Sequence, residues 1–141
     1  MIKGIINGLP PTLNHTYGMR CIRGRPIKFK TEAAKSYQAE ITAAFSNFSL
    51  ITSPKDRFGV VLKVHQRNIR RDVDAHIKLI LDAIADGLGI NDNKIDIVFS
   101  MREIDKKDAN YIEVWFGTDK EIKDFLLSIL SQSSSSSPVI M

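Results

Sequence analysis

Apolar and β-branched residues fall along the chain in short runs that predict four strands. The predicted strands cover residues 2–8, 58–65, 95–101 and 111–116. The run at 58–65 is almost continuously apolar, which is typical of a strand that is buried on both faces. A polar stretch at 106–110 separates the last two runs and predicts a turn, so these two strands are expected to form a hairpin.

Apolar residues at helical spacing predict three helices. Thr31 is a good N-cap for a helix over residues 32–47. The clearest helix carries apolar residues at a spacing of three and four from Val73 to Leu88, and glycines end it. Asp119 begins a last amphipathic helix that runs through Leu130.

The order of these elements indicates the fold class. Strands interleaved with helices predict a single α/β or α+β domain, with a mixed β-sheet flanked by helices, over residues 1–130. The basic segment 15–30 contains two glycines and is expected to form a short ribbon or a mobile loop. Residues 131–141 are rich in serine and are expected to form a disordered tail.

Length and composition exclude several classes of protein. The chain has 141 residues, of which 43% are hydrophobic and 26% charged, and these values are typical of one globular domain. A lone cysteine, Cys21, can form neither an intramolecular disulfide nor a cysteine zinc site. Neither a signal-peptide core nor an apolar run near the roughly 20 residues of a membrane span is present. We therefore expect a reduced, cytoplasmic protein without membrane contact.

Charge is distributed unevenly along the chain. Residues 1–71 hold 13 Lys and Arg against three acids, whereas residues 72–141 hold 7 Lys and Arg against 13 acids. Two basic clusters stand out, and their members are Arg20, Arg23, Arg25, Lys28 and Lys30, then Arg67, Arg70 and Arg71. Such clusters suit a polyanion, because each neutralised phosphate releases a condensed counterion. For a chain of this net charge, a solvated basic face is the simpler alternative.

Three carboxylates and a lysine are the candidate chemical groups. Asp72 and Asp74 stand one residue apart before the clearest helix, Lys78 follows Asp74 by four residues, and Asp92 lies in the loop after the helix. Carboxylate oxygens are the ligands that hard cations such as Mg²⁺ prefer. The third carboxylate joins the other two only if that loop doubles back. Alternatively, Asp74 is an N-cap and Lys78 forms an ordinary i,i+4 ion pair with Asp74 or Asp82.

Several segments together resemble the RusA family of Holliday junction resolvases. The similar segments are Arg70-Arg-Asp-Val-Asp-Ala-His-Ile-Lys78, Leu81-Asp-Ala-Ile84, Ile90-Asn-Asp-Asn-Lys-Ile95 and Leu9-Pro-Pro-Thr-Leu-Asn14 followed by Tyr17. They follow one another in the order of the family over about residues 5 to 117, which a chance Asp-x-Asp match would not do. Ala75 stands where the family has asparagine, and Asn91 where it has the first acid of an Asp-Asp pair.

The resemblance implies a RusA-like, homodimeric endonuclease that cuts four-way junction DNA with Mg²⁺, or with Mn²⁺ in its place. Catalysis and metal binding would then fall on Asp72, Asp74 and Asp92, with Lys78 as a further catalytic residue. The residues expected to bind DNA are Arg67, Arg70, Arg71, Arg23, Arg25 and Lys28.

Other functions use some of the same residues. A non-catalytic DNA-binding protein of the same fold would need the basic clusters but not the metal chemistry. A nuclease of similar chemistry could act on flaps, replication forks or RNA. A nucleotide-sugar transferase with an Asp-x-Asp motif is disfavoured, because 141 residues leave little room for donor and acceptor sites.

Overall fold

The computed structural model of the chain describes residues 1–11, 17–48, 53–67, 77–104 and 110–133. Its strands are β1 (Ile2–Asn7), β2 (Tyr17–Ile22), β3 (Arg25–Lys30), β4 (Phe58–Gln66), β5 (Ile95–Ile104) and β6 (Tyr111–Thr118). Its helices are α1 (Glu32–Phe45), α2 (Ile77–Leu88) and α3 (Asp119–Ser133). Over these residues the fold is a mixed α+β domain with a four-stranded sheet, a separate two-stranded ribbon and three helices. In the described part of the chain, no helix is both long and apolar enough to cross a membrane.

Strand β4 lies at the centre of the main sheet, whose order is β1-β6-β4-β5. It pairs antiparallel with β6 and parallel with β5, and eight of its nine residues are buried. The expected hairpin between β5 and β6 is therefore wrong, because β4 lies between them. An apolar strand with unpaired backbone on either edge would bury unsatisfied N–H and C=O groups, so β4 takes a partner on both sides.

Helices α1 and α2 cover one face of the sheet. The core on this face combines the alternate, inward-pointing residues of β4 and β6 with apolar residues of both helices. Its members include Phe58, Val60, Leu62, Val64, Ile112, Val114, Phe116, Ile41, Phe45, Ile80 and Ile84. Helix α3 covers the opposite face, where a Cβ built on Gly59 would lie 2.9 Å from the Cβ of the buried Ile122. Glycine at this position is what allows α3 to lie against β4.

The contacts between α1 and α2 show that the two helices run parallel. Gln38 Nε2 donates to the Leu79 carbonyl at 2.9 Å, and one turn later Thr42 Oγ1 donates to the Ala83 carbonyl at 3.2 Å. One turn further along, a Cβ built on Gly87 would lie 2.6 Å from the Thr42 carbonyl oxygen. The backbones can therefore approach closely only because position 87 has no side chain. As expected, Thr31 caps α1, and its Oγ1 accepts from the Ala34 N–H at 3.3 Å.

Strands β2 and β3 form the ribbon that was one of the two expectations for segment 15–30. They pair antiparallel across a two-residue turn at Arg23 and Gly24, whose φ angles are 52° and 77°. Positive φ at both central residues is the mark of the tight hairpin turns that match the twist of paired strands. At the other end of the chain, α3 continues to Ser133, three residues into the segment expected to be a disordered tail. Residues 134–141 lie outside the described residues.

Candidate catalytic cleft

The chain doubles back after α2. Gly89, with φ 71°, reverses its direction, and the Ile90 N–H donates to the Ala85 carbonyl at 3.0 Å. A single turn of 3₁₀ helix follows at Asp92–Lys94. Asn91 caps this turn, since its Oδ1 accepts from the Asn93 N–H at 3.1 Å. The residue that departs from the RusA pattern at position 91 thus has a structural role in shaping the return loop.

This return places Asp92 beside the first turn of α2. The Lys78 ammonium donates to Asp92 Oδ2 at 3.0 Å and to Asp82 Oδ1 at 2.9 Å. Lys78 and Asp92 are 14 residues apart in sequence, so the fold and not the helix brings them together. Of the two ion pairs considered for Lys78 on helical spacing, the one with Asp82 is present. The Lys78 side chain remains 75% exposed, so a substrate can reach its ammonium group.

Lys78 and Asp92 keep each other charged. The hydrogen bond and the positive charge of the Lys78 ammonium hold the pKa of Asp92 below its usual range. Hydrogen bonds to Asp82 and then to Asp92 raise the pKa of Lys78 above its ordinary value. Around neutral pH, Asp92 is therefore a carboxylate and Lys78 a cation. Both are in the forms that metal binding and charge stabilisation require.

Arg57, directly before β4, fixes the far end of the same turn. Its guanidinium donates to the two oxygens of Asp96 at 2.8 and 2.6 Å and to the Asn93 carbonyl at 2.9 Å. Two parallel hydrogen bonds between a guanidinium and a carboxylate define orientation as well as distance. They also lower the pKa of Asp96 and raise that of Arg57. Arg57 was not among the predicted site residues, because a partner 39 residues away leaves no signal in the sequence.

A cleft of about 410 Å³ opens between α1 and α2 beside Asp92. Its polar lining consists of Lys30, Gln38, Thr42, Asp82, Asp86, Asn91 and Asp92. Gln38 connects two parts of the lining, since Gln38 Oε1 accepts from Lys30 at 2.9 Å while its amide nitrogen donates to Leu79. The end of the basic ribbon is thereby fixed to the start of α2. Sequence reasoning missed Gln38 and Asp86, and only the spacing of polar residues on an otherwise apolar helix face would have pointed to them.

The other predicted site residues lie in three places. Arg23, Arg25 and Lys28 are exposed and lie on the ribbon. Asp72, Asp74, Arg70 and Arg71 lie outside the described residues, in the segment 68–76 that directly precedes α2.

Arg67 is exposed at the end of β4, where its backbone N–H donates to Asn110 Oδ1 at 3.0 Å. Within the described residues, three or more His, Cys, Asp or Glu side chains are nowhere grouped so that they could hold a metal ion.

No protein-family model matches the chain, and a search of curated proteins finds no match.

Proposed function

We propose that this protein is a Mg²⁺-dependent, structure-selective endodeoxyribonuclease that resolves four-way DNA junctions, as its resemblance to the RusA family implies. One observation carries the proposal more than any other, namely the contact between Asp92 and Lys78 at the first turn of α2. The Asp72–Asp74 pair directly precedes that turn in the sequence. A third carboxylate that returns to this point is the arrangement that the proposed chemistry requires.

The donor groups suit a hard dication. Asp92 is 44% exposed and has a lowered pKa, so it presents a deprotonated carboxylate that solvent ions can reach. Asp72, Asp74 and Asp92 would hold Mg²⁺ or Mn²⁺, which prefer oxygen ligands. Such an ion supplies Lewis-acid activation of the phosphodiester and lowers the pKa of a bound water. Asp82, which was not among the expected metal ligands, accepts a second hydrogen bond from the Lys78 ammonium.

Lys78 has a role of its own in this proposal. Its cation lies in the first turn of α2, anchored by two carboxylates, and its side chain is largely exposed. Placed near the scissile phosphate, the ammonium would stabilise the negative charge that develops as water attacks. Anchoring by Asp82 and Asp92 limits the positions that the flexible lysine side chain can take, so less order has to be created during the reaction.

The basic residues supply affinity for the DNA backbone. Arg23, Arg25 and Lys28 on the ribbon, with Arg67, Arg70 and Arg71, would neutralise phosphates without reading sequence. A homodimer would place two such sites on one junction, and resolution requires paired cuts in opposed strands. An enzyme of this kind acts on DNA in the cytoplasm.

The test compares cleavage of a four-way junction, a flap and a linear duplex, with and without Mg²⁺. We expect the wild-type protein to cut the junction only with the metal. Asp72→Asn and Asp92→Asn should bind the junction at least as tightly as the wild type, because each removes a negative charge, but should not cut it. Asp124→Asn on the exposed side of α3 is the matched control and should cut normally.

Other outcomes identify the rival functions. Junction binding with steep salt dependence but without Mg²⁺-dependent products would indicate a non-catalytic DNA-binding protein. Preferred cutting of the flap would indicate a flap or fork nuclease. Full cleavage by Asp92→Asn would remove Asp92, and the geometric argument with it, from the mechanism.

A further inference from the structure

The β2–β3 ribbon combines positive charge with exposed apolar side chains. Between Tyr17 and Lys30 it has five Lys and Arg residues and no acid. A surface of one sign, without internal ion pairs, is complementary to a polyanion. Charge alone would not require Ile22 and Ile27, which are 45% and 43% exposed at positions where polar residues would be expected.

The pairing register places these apolar residues on one face. Ile22 lies opposite Arg25, and Arg20 lies opposite Ile27. Directly opposed residues point to the same face, and successive residues alternate. Ile22 and Ile27 are therefore diagonal neighbours, and Phe29, two residues after Ile27, continues the row. We call the row of Ile22, Ile27 and Phe29 the apolar stripe.

The stripe differs along its length. At the base of the ribbon, the Phe29 ring packs over Gly18, where a Cβ would lie 2.4 Å from the ring, and the Arg20 guanidinium lies 4.8 Å from the ring centroid. These contacts give the ribbon internal packing. Towards the tip, the two isoleucines share their face of the ribbon with Arg20 and Arg25 and remain open to solvent as far as the described residues show.

We propose that the exposed end of the apolar stripe, Ile22 and Ile27, packs against unstacked bases at the branch point of junction DNA and holds the junction open. This inference rests on the proposed function, since it assumes that the substrate is branched DNA. A two-stranded ribbon fits a DNA groove, and isoleucine is among the side chains that insert between base steps. Arg20 and Arg25 beside the stripe would bind the flanking phosphates.

The position of the ribbon agrees with this role. Its base, Lys30, lines the cleft that contains Asp92 and is held there by Gln38. Along β3, Ile27 lies three residues from Lys30, and Arg25, which is paired with Ile22, lies five residues from it. At the rise of a strand these separations correspond to about 10 to 17 Å. Bases held by the stripe would therefore lie within a few nucleotides of a phosphate at the cleft.

The test uses a synthetic four-way junction with 2-aminopurine at the branch point, because this fluorescent base brightens when it unstacks. In EDTA, where the proposed enzyme does not cut, binding of wild-type protein should raise the fluorescence. The double variant Ile22→Thr/Ile27→Thr keeps β-branched side chains and all charges. We expect it to bind with unchanged salt dependence, but with a fluorescence rise smaller by about fivefold or more, because apolar contact with the bases is lost. It should cut the junction correspondingly more slowly in Mg²⁺.

A matched control tests the opposite face of the ribbon. Met19, 67% exposed, points away from the stripe, so Met19→Thr should open the junction like the wild type. A full fluorescence rise with the double variant, or none with the wild type, would overturn the inference while leaving Mg²⁺-dependent cutting intact. An opened junction without cutting would instead overturn the nuclease proposal.

Two measurements on free protein complete the test. Circular dichroism checks that the double variant is folded, and if it is not, Ile27→Thr alone takes its place. Sedimentation of the wild type and the double variant reports self-association. If the double variant loses self-association yet still opens the junction, the stripe is a protein contact and the inference is wrong.

Discussion

The ribbon and the cleft obtain their properties in different ways. The ribbon is one continuous stretch whose two strands pair with each other across a tight turn, and its charges and exposed isoleucines are properties of that stretch alone. The cleft joins α1, α2, the turn at Asp92 and the residue before β4 through contacts between distant residues. Binding of a polyanion requires only positive charge on an accessible surface. Chemistry at a phosphate requires fixed distances between the reacting groups. Changes to the core should therefore disturb the cleft, and changes at the tip of the ribbon, away from Lys30, should leave it intact.

The largest effect should come from the core beneath the cleft. Ile84 on α2 is fully buried against the sheet. Ile84→Ala should lower the free energy of unfolding by about 2–5 kcal/mol, because it removes buried apolar surface and leaves a cavity. Urea unfolding followed by circular dichroism measures this change. The control, Leu127→Ala at a 63% exposed position of α3, should change the free energy by less than about 0.5 kcal/mol. Equal losses in the two variants would contradict the packing described above.

Next in size is the loss of the cation at the cleft. Lys78→Met keeps the aliphatic stem but removes the ammonium, so the rate of the proposed junction cutting should fall by about 10²- to 10³-fold. Junction affinity should change little, since one exposed cation among many is lost. Rates under single-turnover conditions separate these two effects. Lys120→Met, exposed at the start of α3, is the control, and a rate loss as large there would show that the effect is not local.

A smaller effect is expected from loss of the Arg57 hydrogen bonds that hold the turn at Asp92–Lys94. Arg57→Gln removes the paired hydrogen bonds to Asp96 and the bond to Asn93. Asp92 should then be held less firmly, and cutting should slow by about 10-fold, as for residues that orient a ligand through its neighbours. Junction binding in EDTA should be unchanged. Cutting by Arg57→Gln at the wild-type rate would show that the turn keeps its shape without the Arg57 hydrogen bonds.

Arg57→Gln should also change how the stability of the protein depends on pH. Arg57 lowers the pKa of Asp96 in the folded protein, so the stability from this pair is fully present above the unfolded pKa of aspartate. It is lost as the pH falls through the lower folded value. The Arg57→Gln variant lacks this pair and therefore has no such stability to lose. The melting temperatures of the wild type and of Arg57→Gln should converge as the pH falls. Melting curves from about pH 2 to pH 7 test it, and a constant difference would contradict the assignment.

The smallest effect on the fold should come from the ribbon. Arg23→Gln/Arg25→Gln changes two exposed residues at the turn, so stability should stay within about 0.5 kcal/mol. DNA binding should weaken, and the slope of log affinity against log salt should become shallower by about 0.9 for each phosphate that the variant no longer neutralises. Fluorescence anisotropy across a salt series measures the slope. An unchanged slope would place the DNA elsewhere on the protein.

Local signals predicted most of the fold. The apolar run of β4, the cap at Thr31 and the helical spacing of α2 each depend on neighbouring residues, and the structure has all three elements. The prediction of a hairpin between β5 and β6 was wrong, because strand order depends on which strands pair with the two edges of β4. A short connection favours pairing of sequence neighbours, but burial of the central strand decided otherwise.

The candidate site shows the same distinction between features set by neighbouring residues and features set by tertiary contacts. By itself, the sequence determined which chemical groups are present, where the positive charge is concentrated and that a helix follows Asp72 and Asp74. Only the tertiary structure decided that Asp92 returns to Lys78, that Arg57 fixes the turn and that Gln38 connects the ribbon to α2. The reason is physical. Helix periods, caps and charge clusters arise between near neighbours, whereas a contact between residues 14 or 39 positions apart exists only after the core has brought their elements together.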